Sequence, residues 1–260
     1  MPIKSKIRGI SAFIAILIVL TAMCSCSEKA VEVWRLVKEY DIEGLDFKDF
    51  ENIAEDIDKK KYFAKVDHET EHCDAFMTVM PIGKEYWRVA NINKYSSIAD
   101  AKKYYENEME VIGTLNASAA IVRINDMLIT GDGFTVKMLL ENIGIATHNP
   151  VTVPAGSKLK RIDDLANFEK AEKVLSENGY TIYSDEQIIY TIYSPDGTEC
   201  YKILRFSSSE TDERAYEAAK LLYDEPDSDW MSGVNVYYCD TYAVCCVGDQ
   251  WIQLTEGILK

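Results

Sequence analysis

Histidine is scarce in this chain, with three in 260 residues, and proline numbers only six. There is no G-x-S-x-G elbow, no phosphate-binding G-x-x-x-x-G-K-[ST] loop and no G-x-G-x-x-G turn. Those absences remove the usual sequence signs of an α/β-hydrolase, a P-loop enzyme and a dinucleotide-binding fold. Positive charge is also short. Asp and Glu number 43 against 28 Lys and Arg, a net of −15. Lys4, Lys6 and Arg8 account for three of the basic residues, so the chain from Cys26 onward holds 25 against 43, a net of −18. Split at Pro150, this part carries −8 and −10, so the acidity is no tail. Such a surface excludes nucleic acid as a partner and repels anionic headgroups, so the domain is expected to stand off the membrane. Hydrophobic residues make up 47%, an ordinary globular share, which excludes a disordered stalk.

What is present begins at the N-terminus. Lys4, Lys6 and Arg8 precede a run from Ala12 to Ala22 that carries no charge, and Met23-Cys24-Ser25-Cys26 follows. A basic head, an apolar stretch and small residues before a cleavage point make an export signal. The run falls short of the ~20 residues that span a bilayer, and an uncleaved anchor is the alternative. The cysteine at the cleavage point resembles the lipobox of bacterial lipoproteins. The resemblance implies a diacylglycerol on that cysteine and a cut just before it. Small Ser25 precedes Cys26, whereas bulky Met23 precedes Cys24, so Cys26 is the expected lipidated residue and Cys24 the alternative. It further implies a protein held by lipid on the outer, extracytoplasmic side of the cell membrane, since two or more acyl chains suffice for stable anchoring.

Five cysteines remain after such a cut: Cys73, Cys200, Cys239, Cys245 and Cys246. The number is odd and the spacings show no framework. Disulfides are permitted outside the cytoplasm, but small buried hydrophobes explain the set equally well. Adjacent strand residues such as Cys245 and Cys246 point to opposite faces.

The part after the signal reads as a tandem repeat. The helical window 49–62 matches 167–180, with Phe47, Phe50, Ile53 and Ile57 set against Leu165, Phe168, Ala171 and Leu175 along one face. Pro81-Ile82-Gly83 matches Pro195-Asp196-Gly197, a turn between strands. Trp87, Val89 and Ile92 match Tyr201, Ile203 and Phe206, Ala101 matches Ala215, and Gly131-Asp132 matches Gly248-Asp249. The expected fold is α+β: two tandem related units, each helix-strand-strand-helix-strand-strand. In each, a four-stranded antiparallel sheet is covered by helices on one face. The first unit's elements are expected near 46–62, 74–80, 85–92, 97–111, 119–124 and 127–131. The second unit's are expected near 164–178, 187–193, 199–206, 210–223, 233–239 and 242–247. Ser97-x-x-Asp100 and Ser209-x-x-Asp212 fit helix N-capping, and Asn125-Asp126 and Asp240-Thr241 fit tight hairpin turns. The organisation is then a signal peptide over 1–25, a tether over 26–43, unit one over 44–145, a linker over 146–160 and unit two over 161–260. Val31–Tyr40 reads equally as a short helix or an edge strand.

One motif carries chemistry. Asp67-His68-Glu69-Thr70-Glu71-His72-Cys73 contains H-E-x-x-H, which on a helix sets two His on one face to hold zinc while the Glu positions water. Here the motif falls between a helix and a strand, with no apolar stripe to dock a helix, and unit two has no counterpart. It leaves His68, His72 and Cys73 as a weak candidate metal site, with zinc the cofactor implied. The acidic run Asp224-Glu225-Pro226-Asp227-Ser228-Asp229 lacks the glycine and terminal Glu of a calcium loop. Tyr183, Tyr190, Tyr193, Tyr237, Tyr238 and Tyr242 could line a ligand surface, but half-buried sheet faces explain them better. The expected function is a non-catalytic binding or interaction ectodomain whose contact region is the cleft between units or the open sheet edges. The alternatives are a metal-dependent hydrolase using the His68/His72 loop and a purely structural envelope component.

Overall fold

The computed structural model describes residues 30–68, 73–83, 88–111, 118–154, 158–162, 168–185, 189–206, 216–217, 219–220 and 233–259. The expected signal peptide, Cys24, Cys26, His72, Trp87, Leu165, the expected Ser209–Asp212 cap, Ala215 and the 224–229 run lie outside them. The mixed α+β class is as expected: fourteen strands and five helices are described. No helix among the described residues is long and apolar enough to cross a membrane.

The first large sheet is built from β2 (Leu36–Tyr40), β3 (Tyr62–His68), β4 (Ala75–Pro81), β5 (Ala90–Lys94), β6 (Ala119–Ile124) and β7 (Met127–Asp132). Its spatial order is β2-β6-β7-β5-β4-β3, antiparallel except for the parallel β2·β6 edge pair. Three helices accompany it: α1 (Phe47–Asp56), α2 (Ile98–Val111) and α3 (Gly133–Asn142). Asp46 caps α1 by accepting from the Lys48 amide while Asp49 accepts from the Asp46 amide, a reciprocal box. At α2 the Ser97 hydroxyl accepts from the Asp100 amide and donates to the Asp100 carboxylate, at the spacing the sequence predicts. α1 and α3 cover one face, burying Met77, Val79, Ile92, Val122, Ile124 and Ile129 with Phe47, Phe50, Leu139 and Leu140. α2 covers the other through Ala101, Tyr105 and Met109 against Ile121 and Leu128. Each large apolar side chain so buried contributes about 1.5–3 kcal/mol.

The second sheet comprises β9 (Lys158–Arg161), β10 (Thr181–Asp185), β11 (Ile189–Tyr193), β12 (Cys200–Arg205), β13 (Val234–Tyr238) and β14 (Tyr242–Val247). Its order is β10-β11-β12-β14-β13-β9, with β9 parallel to β13. α4 (Phe168–Glu177) and α5 (Gln250–Gly257) contribute Leu175, Trp251 and Leu254 to one face. Ala219 and Phe206 lie on the other, with Val33 and Val153 from a separate two-stranded ribbon, β1 (Val31–Val33) and β8 (Val151–Val153).

Several expectations need correction. Each large sheet has six strands rather than four, and the first carries helices on both faces. The reason is visible in β6, where Ile121 and Val122 are adjacent and both buried, so neither side of that strand meets water. The first helix stops at Asp56, because Asp58 closes a turn by accepting from the Lys60 and Lys61 amides. Tyr62, Ala64 and Val66 then alternate inward as an edge strand where a loop was expected. The strand expected at 85–92 lies at 90–94, and Val31–Tyr40 holds two strands, both paired. α3 and α5 had no counterpart in the expected order: the two Gly-Asp pairs lead into helices. Both tight hairpins form, Asn125 taking a positive φ of 54°. All five cysteines are thiols, and Cys245 and Cys246 pack into the clusters on opposite faces of their sheet.

Candidate functional site

His68 is the last residue of β3 and sits opposite Ala75 of β4. Its Nε2 lies 3.3 Å from Glu51 Oε1, and its ring meets the Phe47 ring edge-on at 6.4 Å. Both partners belong to α1, so the imidazole is on the α1 side of the sheet. Cys73 packs with the α2 cluster on the other side, its Sγ 3.8 Å from Asn93 Oδ1. His68 and Cys73 thus lie with clusters on opposite sides of the sheet, and His68 stands on a strand where the zinc-protease pattern requires a helix. Among the described residues, no three His, Cys, Asp or Glu side chains are gathered to hold a metal.

A second region was not legible as a site. β2 runs out at Tyr40 into a turn over 41–46 that leads to α1, and the β6–β7 hairpin clamps this turn. Asn125 Oδ1 accepts from the Ile42 amide at 2.9 Å, and Nδ2 donates to the carbonyls of Ile42 and Leu45 at 2.7 and 2.9 Å. Two residues earlier, buried Arg123 donates from Nε to Glu39 at 2.8 Å, and from Nη1 to Asp41 at 3.0 Å and the Asn125 carbonyl at 2.8 Å. Burial works against the guanidinium charge, but the bonds to Glu39 and Asp41 outweigh it and hold the pKa above its ordinary value. The turn and hairpin frame an open recess of about 550 Å³, lined among others by Glu43, Asp46, Lys94, Ile98 and Asp126. Three of its carboxylates have structural partners. Asp46 caps α1, Asp41 pairs with Arg123, and Asp126 pairs with Lys94 at 2.7 Å. No nucleophile stands beside an oriented base here. The recess can recognise a ligand through Lys94, the turn backbone and exposed Ile98, 53% accessible.

The boundary between the two large sheets is packed at the residues that meet there. Val37, Tyr95, Tyr105 and Leu128 from the first sheet and its helix join Tyr193 and Cys200 of the second in one apolar cluster. The Tyr193 hydroxyl donates to the Met109 carbonyl at 2.7 Å, and the Val37 amide donates to the Gly197 carbonyl at 2.7 Å. Burial, first of all, pushes the Tyr193 phenol far above its usual range. Nearby, Trp34 is fully buried, donates from Nε1 to the His148 carbonyl at 3.0 Å and stacks on the His148 ring at 4.9 Å. Gly133 makes room for this residue, since a Cβ there would fall 2.0 Å from the Trp34 carbonyl oxygen. Burial lowers the His148 pKa, opposed by Asp196 and assisted by Lys137. Tyr190, Tyr193, Tyr237 and Tyr242 are core residues, as their strand positions suggested.

With this geometry in hand, comparison with protein-family models, curated proteins and solved structures finds no match to the chain.

Proposed function

We propose that this chain is an extracytoplasmic lipoprotein, anchored through Cys26, whose ectodomain consists of two related units and acts as a non-catalytic binding module. The repeat is supported by the equivalent order of the two sheets. Each places its first strand at one edge in parallel with its fifth, and its second strand at the other edge. The observation that carries the binding reading is the recess beside the 41–46 turn. Its frame is fixed by Asn125 and Arg123, and Asp41, Asp46, Lys94 and Asp126 are held by structural partners, which suits recognition over turnover. This moves the favoured contact region from the boundary between units, which is packed, to one end of unit one.

Two measurements on the full-length protein test the reading. A photoreactive residue at Ile98 should cross-link a discrete envelope component that the same residue at exposed Ile258 does not capture. Identical capture at both positions would count against the recess. Zinc content addresses the rival metal-dependent hydrolase. Stoichiometric zinc that disappears in His68→Ala/His72→Ala would replace the binding reading with the rival.

A further inference from the structure

The acidity of the chain is not uniform, and its exception lies where the lipid would enter. Residues 142–162 contain no Asp or Glu, the longest such stretch after Cys26, and they end in Lys158-Leu159-Lys160-Arg161. Those four residues are β9, the last strand of its sheet, and both lysine side chains are exposed. The same stretch supplies β8, which pairs with β1. β1 begins at Val31, five residues after Cys26, a span of at most ~18 Å of extended chain. Val31, Val153 and Leu159 pack into one cluster with Val234 and Val236. A Cβ on Gly233 would lie 3.2 Å from Val31 Cγ2, and Lys158 pairs with Asn235 two residues further on. From the Val31 contact to the Lys158 backbone is therefore about 7 Å along a strand and about 5 Å across one, with Leu159 on the Val31 face of this edge strand and the two lysine side chains on the other.

We propose that β9 docks on the anionic phospholipid headgroups of the membrane to which Cys26 is tethered. The inference rests on the lipoprotein reading. The short tether brings β1 and its neighbours to the bilayer, and charge complementarity selects the edge. Lys158 and Lys160 face the lipid, while the Arg161 charge is offset by Asp240 at 2.8 Å and leaves the two lysines to supply the attraction. Surface charges act over about a Debye length, ~8–10 Å. The local basic edge therefore governs the contact more than the net charge of the whole chain. Glu32, exposed on β1, is the acidic side chain on the ribbon and limits the attraction.

The test uses full-length protein from a host that processes lipoproteins, with intact mass reporting the diacylglyceryl group. The protein is placed in vesicles of phosphatidylcholine alone or of phosphatidylcholine with phosphatidylglycerol. Amine acetylation is then followed residue by residue. Lys158 and Lys160 should be protected about fivefold in the anionic vesicles, the shift one basic side chain near such a surface supplies. High salt should remove the protection, and Lys59, Lys60 and Lys65 should not respond. Equal acetylation of Lys158 and Lys160 in both vesicle types overturns the docking alone. That includes equal protection, as a second copy of the chain on the strand edge would give. Absence of the lipid overturns both this inference and the lipoprotein reading.

Discussion

The Val37 amide donates to the Gly197 carbonyl at 2.7 Å, and a Cβ on Gly197 would lie 1.9 Å from the Val37 carbonyl oxygen. One residue of the second sheet's β11–β12 turn is thus fitted against the edge strand of the first sheet, closer than any other side chain permits. Gly83, which follows β4 in the first sheet, has the same φ of 74°, yet among the described residues nothing lies within 4 Å of its Cβ position.

This pair sets up a controlled comparison. Gly83→Ala meets only the strain of a positive φ, about 1 kcal/mol. Gly197→Ala meets that strain and the clash with Val37, and should cost at least about 3 kcal/mol. Urea unfolding of the two variants reads the difference. Equal losses would mean that the turn is not held against β2.

The packed boundary also predicts cooperative unfolding. Tyr193, Cys200, Val37 and Tyr105 share one buried cluster, and β1 precedes β2 of the first sheet while packing on the second. The two halves should therefore melt in one transition, with coincident tyrosine fluorescence and far-ultraviolet circular dichroism. Two separated transitions would show that the halves are stable alone.

Asn125 offers a third test. Asn125→Gly keeps the positive φ accessible but removes three side-chain bonds to the 42–45 turn. At about 1 kcal/mol per bond, the loss should be about 2–3 kcal/mol. Hydrogen exchange should rise at Ile42. A loss below about 1 kcal/mol would show that the turn holds itself, and the recess would lose its rigid frame.

These roles explain what the sequence could and could not convey. Asn125 was legible as a hairpin residue, because a local turn depends on its own neighbours. Its clamp on Ile42 and Leu45 was not, since that bond spans more than 80 residues of chain. β3 was missed because Phe63 on its outer face and the charged Lys65 and Asp67 blur the pattern, although Tyr62, Ala64 and Val66 alternate inward. β9 was missed, and β2 stayed open between helix and edge strand, because each pairs in parallel with a strand far along the chain, with no hairpin to announce it. The surroundings of His68 and Cys73 were hidden for a related reason: the two are near in sequence, yet His68 meets Phe47 and Glu51 of α1 while Cys73 packs with the α2 cluster.

His148 predicts a pH dependence. Its folded pKa lies below the ordinary value because it is buried, so the unfolded state binds the proton more readily. Its contribution to stability is present above the unfolded pKa of about 6.5 and is lost as pH falls through the lower folded value. His148→Phe keeps an aromatic ring on Trp34 and the backbone carbonyl that Trp34 uses, but removes the titration. Thermal melts below neutral pH should show the wild type losing more stability than the variant. Parallel losses would remove His148 from the account.

The most direct test of the central claim is the mass of the N-terminal peptide from the full-length protein made in a host that processes lipoproteins. The account predicts a chain beginning at Cys26 and carrying a diacylglyceryl thioether, absent in Cys26→Ala. A chain that keeps Met1, or one that begins at a cysteine without lipid, would contradict it.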